Sequence, residues 1–133
     1  MREANMTYYF PKRIHGDFGS ALERVRTSLA TEGFGILSEI DVSATMKKKL
    51  DIDFRRYTIL GACNPPFAHR ALQLEDKIGT MLPCNVIVQE IAPGEIEVAA
   101  VDPVASMRAI DNPGLHELAG EVRAKLERVI NLL

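Results

Sequence analysis

The stretch from Arg55 to Cys63, RRYTILGAC, constrains the fold more than any other. Successive residues of a strand face opposite ways. Tyr57, Ile59, Gly61 and Cys63 then share one face, and Thr58, Leu60 and Ala62 share the other. Both faces are largely apolar, which places this strand in the interior of a sheet. Asn64 and Pro65 follow at once and read as a helix start. Asparagine is a good N-cap, and proline suits the first helical position, where no backbone donor is needed. The Asn64 side chain is expected to accept from the N–H of Phe67. Phe67, Ala71, Leu74 and Ile78 supply the inner stripe of that helix.

The rest of the chain alternates in the same way. Thr7, Tyr8, Tyr9 and Phe10 are strand formers, and the first strand ends at Phe10, with Gly16 as the break beyond it. Asp17 or Ser20 caps the first helix, and Ser20 with Glu23 has capping-box spacing. Phe18, Leu22, Val25 and Leu29 form its apolar stripe, and Gly33 closes it. Phe34 to Val42 is a second strand, exposed toward its end. Ser43 caps a short helix through Leu50 that buries Met46 and Leu50. Pro83 opens a fourth strand through Ile91. A turn at Ala92-Pro93-Gly94-Glu95 returns the chain as a fifth strand from Ile96 to Val101. Asp102-Pro103 and Asn112-Pro113 each open a helix by the cap-plus-proline device. The last helix carries Leu115, Leu118, Val122, Leu126, Val129 and Leu133 on one stripe, which makes it part of the core. The expected fold class is α+β: a single two-layer domain over 1–133, with a mostly antiparallel or mixed sheet of about five strands covered by helices. Residues 1–6 are expected to be a flexible N-terminus. A doubly wound nucleotide fold is disfavoured, because no glycine-rich turn follows a strand at the required spacing.

Composition removes several function classes. With 133 residues, 47% hydrophobic and 26% charged, the chain has the globular balance and no sign of disorder or repeats. A net charge of -2 does not suit a nucleic-acid partner. The one basic run, Lys47-Lys48-Lys49, reads as a solvated helix face. No apolar run of about 18 residues predicts a membrane span. Together with an N-terminus lacking a signal pattern, this points to a cytoplasmic protein without a membrane partner, in which the two cysteines are thiols.

Both cysteines lie in Cys-Asn dipeptides, GACNPPF and LPCNV. Cys63 ends a strand and precedes a helix N-terminus, a setting that lowers thiol pKa when free N–H groups are present. Here Pro65 and Pro66 remove two of those donors. An inert buried thiol is the plainer reading of Cys63; a nucleophile or sulfur carrier is the sharper one. Topology decides whether Cys84 can join it. If strands three and four pair antiparallel, the two motifs meet. If they run parallel through a crossover, a strand of about eight residues holds the cysteines about 26 Å apart. Cys63, Cys84 and His69 could in principle ligate a metal, but no paired-ligand spacing supports one, and no metal or cofactor is expected. No hydrolase motif occurs.

The segments EGFGILSEIDVSATMKKKL, YTILGACNPPFAHRAL, LPCNVIVQE and VAAVDPVASM resemble the bacterial and archaeal family called domain of unknown function 302, from about Tyr8 to Val129. The matching motif positions are Gly61, Cys63, Asn64, Pro65, His69, Leu82, Pro83, Cys84 and Asn85. The resemblance implies a compact α+β domain with a helix-covered sheet, and a homodimer. It implies no particular activity. The expected candidate site is a groove lined by Cys63, Asn64, His69, Cys84 and Asn85. Three functions compete for it. The first is a homodimeric module binding a small molecule. The second is a thiol-dependent redox or sulfur-carrier protein with Cys63 attacking, Cys84 resolving and His69 as base. The third is a dimerising structural domain whose Cys-Asn corners only pack.

Overall fold

The computed structural model describes residues 7–133, so the expectation for residues 1–6 lies outside the described residues. In chain order the elements are β1 (Tyr9–His15), α1 (Phe18–Thr31), β2 (Gly35–Asp41), α2 (Val42–Leu50), β3 (Tyr57–Cys63), α3 (Pro65–Leu74), a 3-10 helix (Asp76–Met81), β4 (Cys84–Ala92), β5 (Glu95–Val101), α4 (Pro103–Ser106) and α5 (Pro113–Asn131). The five strands form one sheet in the order β1-β5-β4-β3-β2, and every pairing is antiparallel. The chain is thus an α+β, two-layer structure. β1 and β2 lie at opposite edges of the sheet, and α1 spans the distance between them.

One face of the sheet carries the main core. Leu60, Ala62, Cys84, Val86, Val88, Ile96, Val98 and Ala100 alternate inward and meet Phe18, Val25 and Leu29 of α1 and Leu126, Val129 and Ile130 of α5. Fully burying one such aliphatic side chain stabilises the fold by roughly 1.5–3 kcal/mol. A second cluster sits beyond the end of the sheet. There Ala71, Ile78, Met107, Leu115, Leu118 and Ala119 join α3, the 3-10 helix, α4 and the first half of α5. The last helix therefore belongs to both cores, which its long apolar stripe demanded.

Helix starts follow the capping chemistry, with two corrections. Of the two residues expected at the start of α1, Asp17 is the cap, accepting from the N–H of Ser20 at 3.0 Å. Asp41, not Ser43, caps α2, accepting from the N–H of Ala44 at 2.9 Å. Asn64 occupies the N-cap position of α3, but its side chain makes no cap bond. A further expectation fails at α2: none of its residues is buried, and Leu50 is 62% exposed. The spacing of Met46 and Leu50 is helical, but among the described residues nothing buries that stripe. β1 also runs five residues past its expected end at Phe10. Pro11 lies within it, because β1 is an edge strand, where a missing backbone donor is tolerated.

Candidate functional site

β3 and β4 are antiparallel neighbours, with Ala62 opposite Cys84 and Gly61 opposite Asn85. The end of one Cys-Asn motif therefore lies beside the start of the other. Around this corner the two hydrophobic clusters fail to close on each other, and a half-open cavity of about 360 Å³ remains between them. Phe34, Ala62 and Cys84 face it from the sheet core. Phe67, Ala68 and Ala71 face it from α3, and Met107, Leu118 and Ala119 from α4, its C-terminal cap and α5. The void persists because Ala62, Ala68, Ala71 and Ala119 are too short to fill it. Its lining is almost entirely hydrocarbon, with the two thiols and the amide of Asn64 as its polar exceptions.

Each motif residue has a definite task at this corner. Gly61 is required sterically: a Cβ there would lie 2.2 Å from Ser38 Oγ and 2.7 Å from Pro83 Cγ. The Leu82–Pro83 peptide is cis, and the proline ring lies against that glycine. Asn64 is buried, and its Nδ2 donates to the backbone carbonyl of Glu32 at 3.1 Å. This bond replaces the expected one to Phe67. The reason lies in the turn after α1, where Gly33, at φ +85, has no side chain and leaves the amide room to pass. Asn64 thus clasps the C-terminal end of α1 to the start of α3. The Glu32 carboxylate carries the clasp on to α5, at 3.1 Å from Arg128 and 3.7 Å from Lys125. The bond from Arg128 is the main cause holding that carboxyl below its usual range.

The five candidate residues separate into two groups. Cys63, Asn64 and Cys84 line the cavity. His69 and Asn85 are exposed and do not line it. Burial pushes the Cys84 thiol up to about 11, and the neighbouring Cys63 adds to the shift in the same direction. A thiol so shifted is almost wholly protonated at neutral pH and is a poor nucleophile. Among the described residues, no group of three or more histidine, cysteine, aspartate or glutamate side chains could hold a metal ion. No helix of the described residues is long and apolar enough to cross a membrane. Sequence reasoning missed the far wall, Met107, Leu118 and Ala119. The signal was the placement of alanines on the inward stripes of α3 and α5, where larger residues would have filled the space.

The sheet order, the one-sided helix layer and the cavity at the β3–β4 corner define a two-layer antiparallel α+β domain with an apolar pocket at the sheet end. The chain belongs to the family described as Domain of unknown function DUF302, whose model matches residues 10–133. It is similar to the crystal structure of an uncharacterized conserved DUF302 protein from Bacillus stearothermophilus. That likeness has a TM-score of 0.85 and 26% sequence identity, and covers 93% of this chain and 96% of the other. No curated protein matches the chain.

Proposed function

We propose that this chain is a small-molecule binding module, acting as a homodimer, whose ligand is predominantly apolar and lodges between β3, α3 and α5. The observation that carries the reading is the cavity. Its volume of about 360 Å³ falls in the range of small-molecule sites. A half-open apolar cleft leaves hydrocarbon facing water, and such concave apolar surface marks a binding site more often than chance packing. The lining limits the occupant's chemistry. No charged side chain borders the cavity, so a free carboxylate or ammonium group has no partner inside it. A hydrocarbon or weakly polar body suits the walls, with at most a soft or hydrogen-bonding group near the two thiols and Asn64. The homodimer is the assembly that the family resemblance implies.

The thiol-chemistry reading has the two cysteines at one corner in its favour. It lacks a base, since His69 is exposed and outside the cavity. The elevated Cys84 thiol opposes it as well.

Titration with N-phenylnaphthylamine, a neutral apolar fluorophore, tests the binding reading. The expected result is saturable enhancement with one site per chain, competed by medium-chain alcohols and reduced at least tenfold in affinity by Ala68→Trp at the mouth. Absence of saturable binding, or binding indifferent to that plug in a folded variant, would overturn it.

A further inference from the structure

Two cations stand against one wall of the cavity. Phe67 lines the cavity from α3. The Arg70 guanidinium lies 5.4 Å from the centre of its ring, and the Lys125 ammonium lies 5.8 Å from it. Helical spacing puts them there. Arg70 follows Phe67 by one turn of α3. On α5, Leu115, Leu118 and Val122 line the cavity, and Lys125 stands one turn past Val122 on the same side. Neither cation lines the cavity itself. The apolar wall therefore gives way to positive charge where α3 and α5 meet.

Both cations are held loosely. Arg70 reaches Glu121 at 3.4 Å, and both side chains are about half exposed. An exposed ion pair of that kind is weak and exchanges readily for another carboxylate. Lys125 lies 3.7 Å from Glu32, longer than a hydrogen bond, while Arg128 holds the same carboxylate oxygen at 3.1 Å. Glu32 thus has a better partner, and Lys125 keeps donors to offer. Arg70, Lys125 and Arg128 set against Glu32 and Glu121 leave this edge with a net charge of +1, in a chain whose net charge is -2.

We infer that the ligand of this cavity is an anionic amphiphile: an aliphatic chain fills the hydrocarbon-lined space, and a carboxylate stays outside it, paired with Lys125 and Arg70. The inference rests on the binding reading above and names the class of compound that fits. Separate features call for the two halves. The walls exclude charge from the interior, because a buried carboxylate without a partner is costly. The open side lets one end of a ligand remain in water. At that end the arginine fork and the lysine ammonium supply charge-assisted donors. A neutral apolar body would use the walls and leave the cations idle. A small anion would use the cations and leave the walls bare. Phe67 joins the two regions, since its ring is both cavity wall and platform for the cations.

Displacement of N-phenylnaphthylamine by decanoate and by decanol, which share a chain length and differ in head group, tests this. The expected result is decanoate about tenfold tighter than decanol in the wild type. Lys125→Gln and Arg70→Gln should each weaken decanoate roughly threefold or more without moving decanol, and the double variant should remove the preference. Added salt should weaken decanoate alone. Both side chains are partly exposed and weakly paired, so the variants keep the fold, which an unchanged Tm confirms. Decanol equal to or tighter than decanoate, or a preference that survives in the double variant, would overturn the assigned head group and leave the apolar cavity reading standing. So would a saturably bound fluorophore that neither compound displaces. Absence of saturable fluorophore binding would overturn both readings.

Discussion

Filling the cavity from within should stabilise the protein and abolish ligand binding together. Ala119 is 2% exposed, lies on the inward stripe of α5, and faces the void. Replacing it with leucine adds three carbons to a space that now holds none. At about 0.8 kcal/mol per buried CH₂ the gain is about 2.4 kcal/mol, from which ordering the new side chain removes roughly 0.5–1 kcal/mol. A net gain of about 1.5 kcal/mol remains. For a chain of 133 residues the unfolding entropy near the midpoint is about 0.28 kcal/mol/K, so Tm rises by about 5 °C. Thermal unfolding followed by circular dichroism measures that shift. The second readout moves the opposite way: an apolar ligand at 100 times its Kd stabilises the wild type by about 2.7 kcal/mol, and this increment vanishes in Ala119→Leu. Overpacking by added methylenes typically costs 1–3 kcal/mol, so a variant that loses more than 1 kcal/mol would mean that no usable space exists there. A stabilised variant that still binds with full affinity would refute the location of the site.

The remaining predictions concern the walls and hinges of the same corner. The Cys84 thiol is raised in the folded chain, so the unfolded chain loses its proton first. Cys84 therefore contributes no pH dependence below about pH 8.5, and stability falls between the ordinary thiol value and about 11, by about 3 kcal/mol in all. Chemical denaturation at pH 8 and 11 should show that difference in the wild type and its loss in Cys84→Ala. Asn64→Ala removes the clasp to Glu32 and should cost about 1–2 kcal/mol in urea unfolding, with Asn64→Asp no better because it cannot donate. Gly61→Ala should cost about 2–3 kcal/mol, and Ser38→Ala in the same chain should recover part of that by removing the nearer of the two clashing atoms. Equal stability of Gly61→Ala with and without Ser38→Ala would show that the proline ring alone sets the limit.

Much of the fold is legible in the sequence because local chemistry and long-range packing agree. The Asp102-Pro103 and Asn112-Pro113 starts are read correctly: Asp102 accepts from Val104 at 3.0 Å and Asn112 from Leu115 at 3.2 Å. The same device misleads at Asn64, where a competing acceptor, the Glu32 carbonyl, comes from an element 32 residues away. Nothing local in Asn64-Pro65-Pro66 distinguishes these outcomes. α2 fails for the reverse reason. Its periodicity predicts a buried stripe, but periodicity states only which residues share a face, never what lies across from them.

The candidate site shows where such reading stops. Cys63 and Cys84 come together because β3 and β4 pair antiparallel, and the connection between them, residues 64–83, is long enough for either pairing sense. His69 and Asn85 sit in the same motifs yet face elsewhere, Asn85 because adjacent strand residues alternate and Cys84 has taken the inner position. The cavity itself is encoded by what is missing. Four alanines, at 62, 68, 71 and 119, stand on three elements where a packed core calls for leucine or valine. Each is unremarkable on its own helix or strand, since alanine is a good helix former and tolerable beside β4. Only the three-dimensional arrangement aligns them around one volume. A motif scan finds the thiols, which are conspicuous, while the space that gives the corner its binding capacity is written in the absence of side-chain atoms.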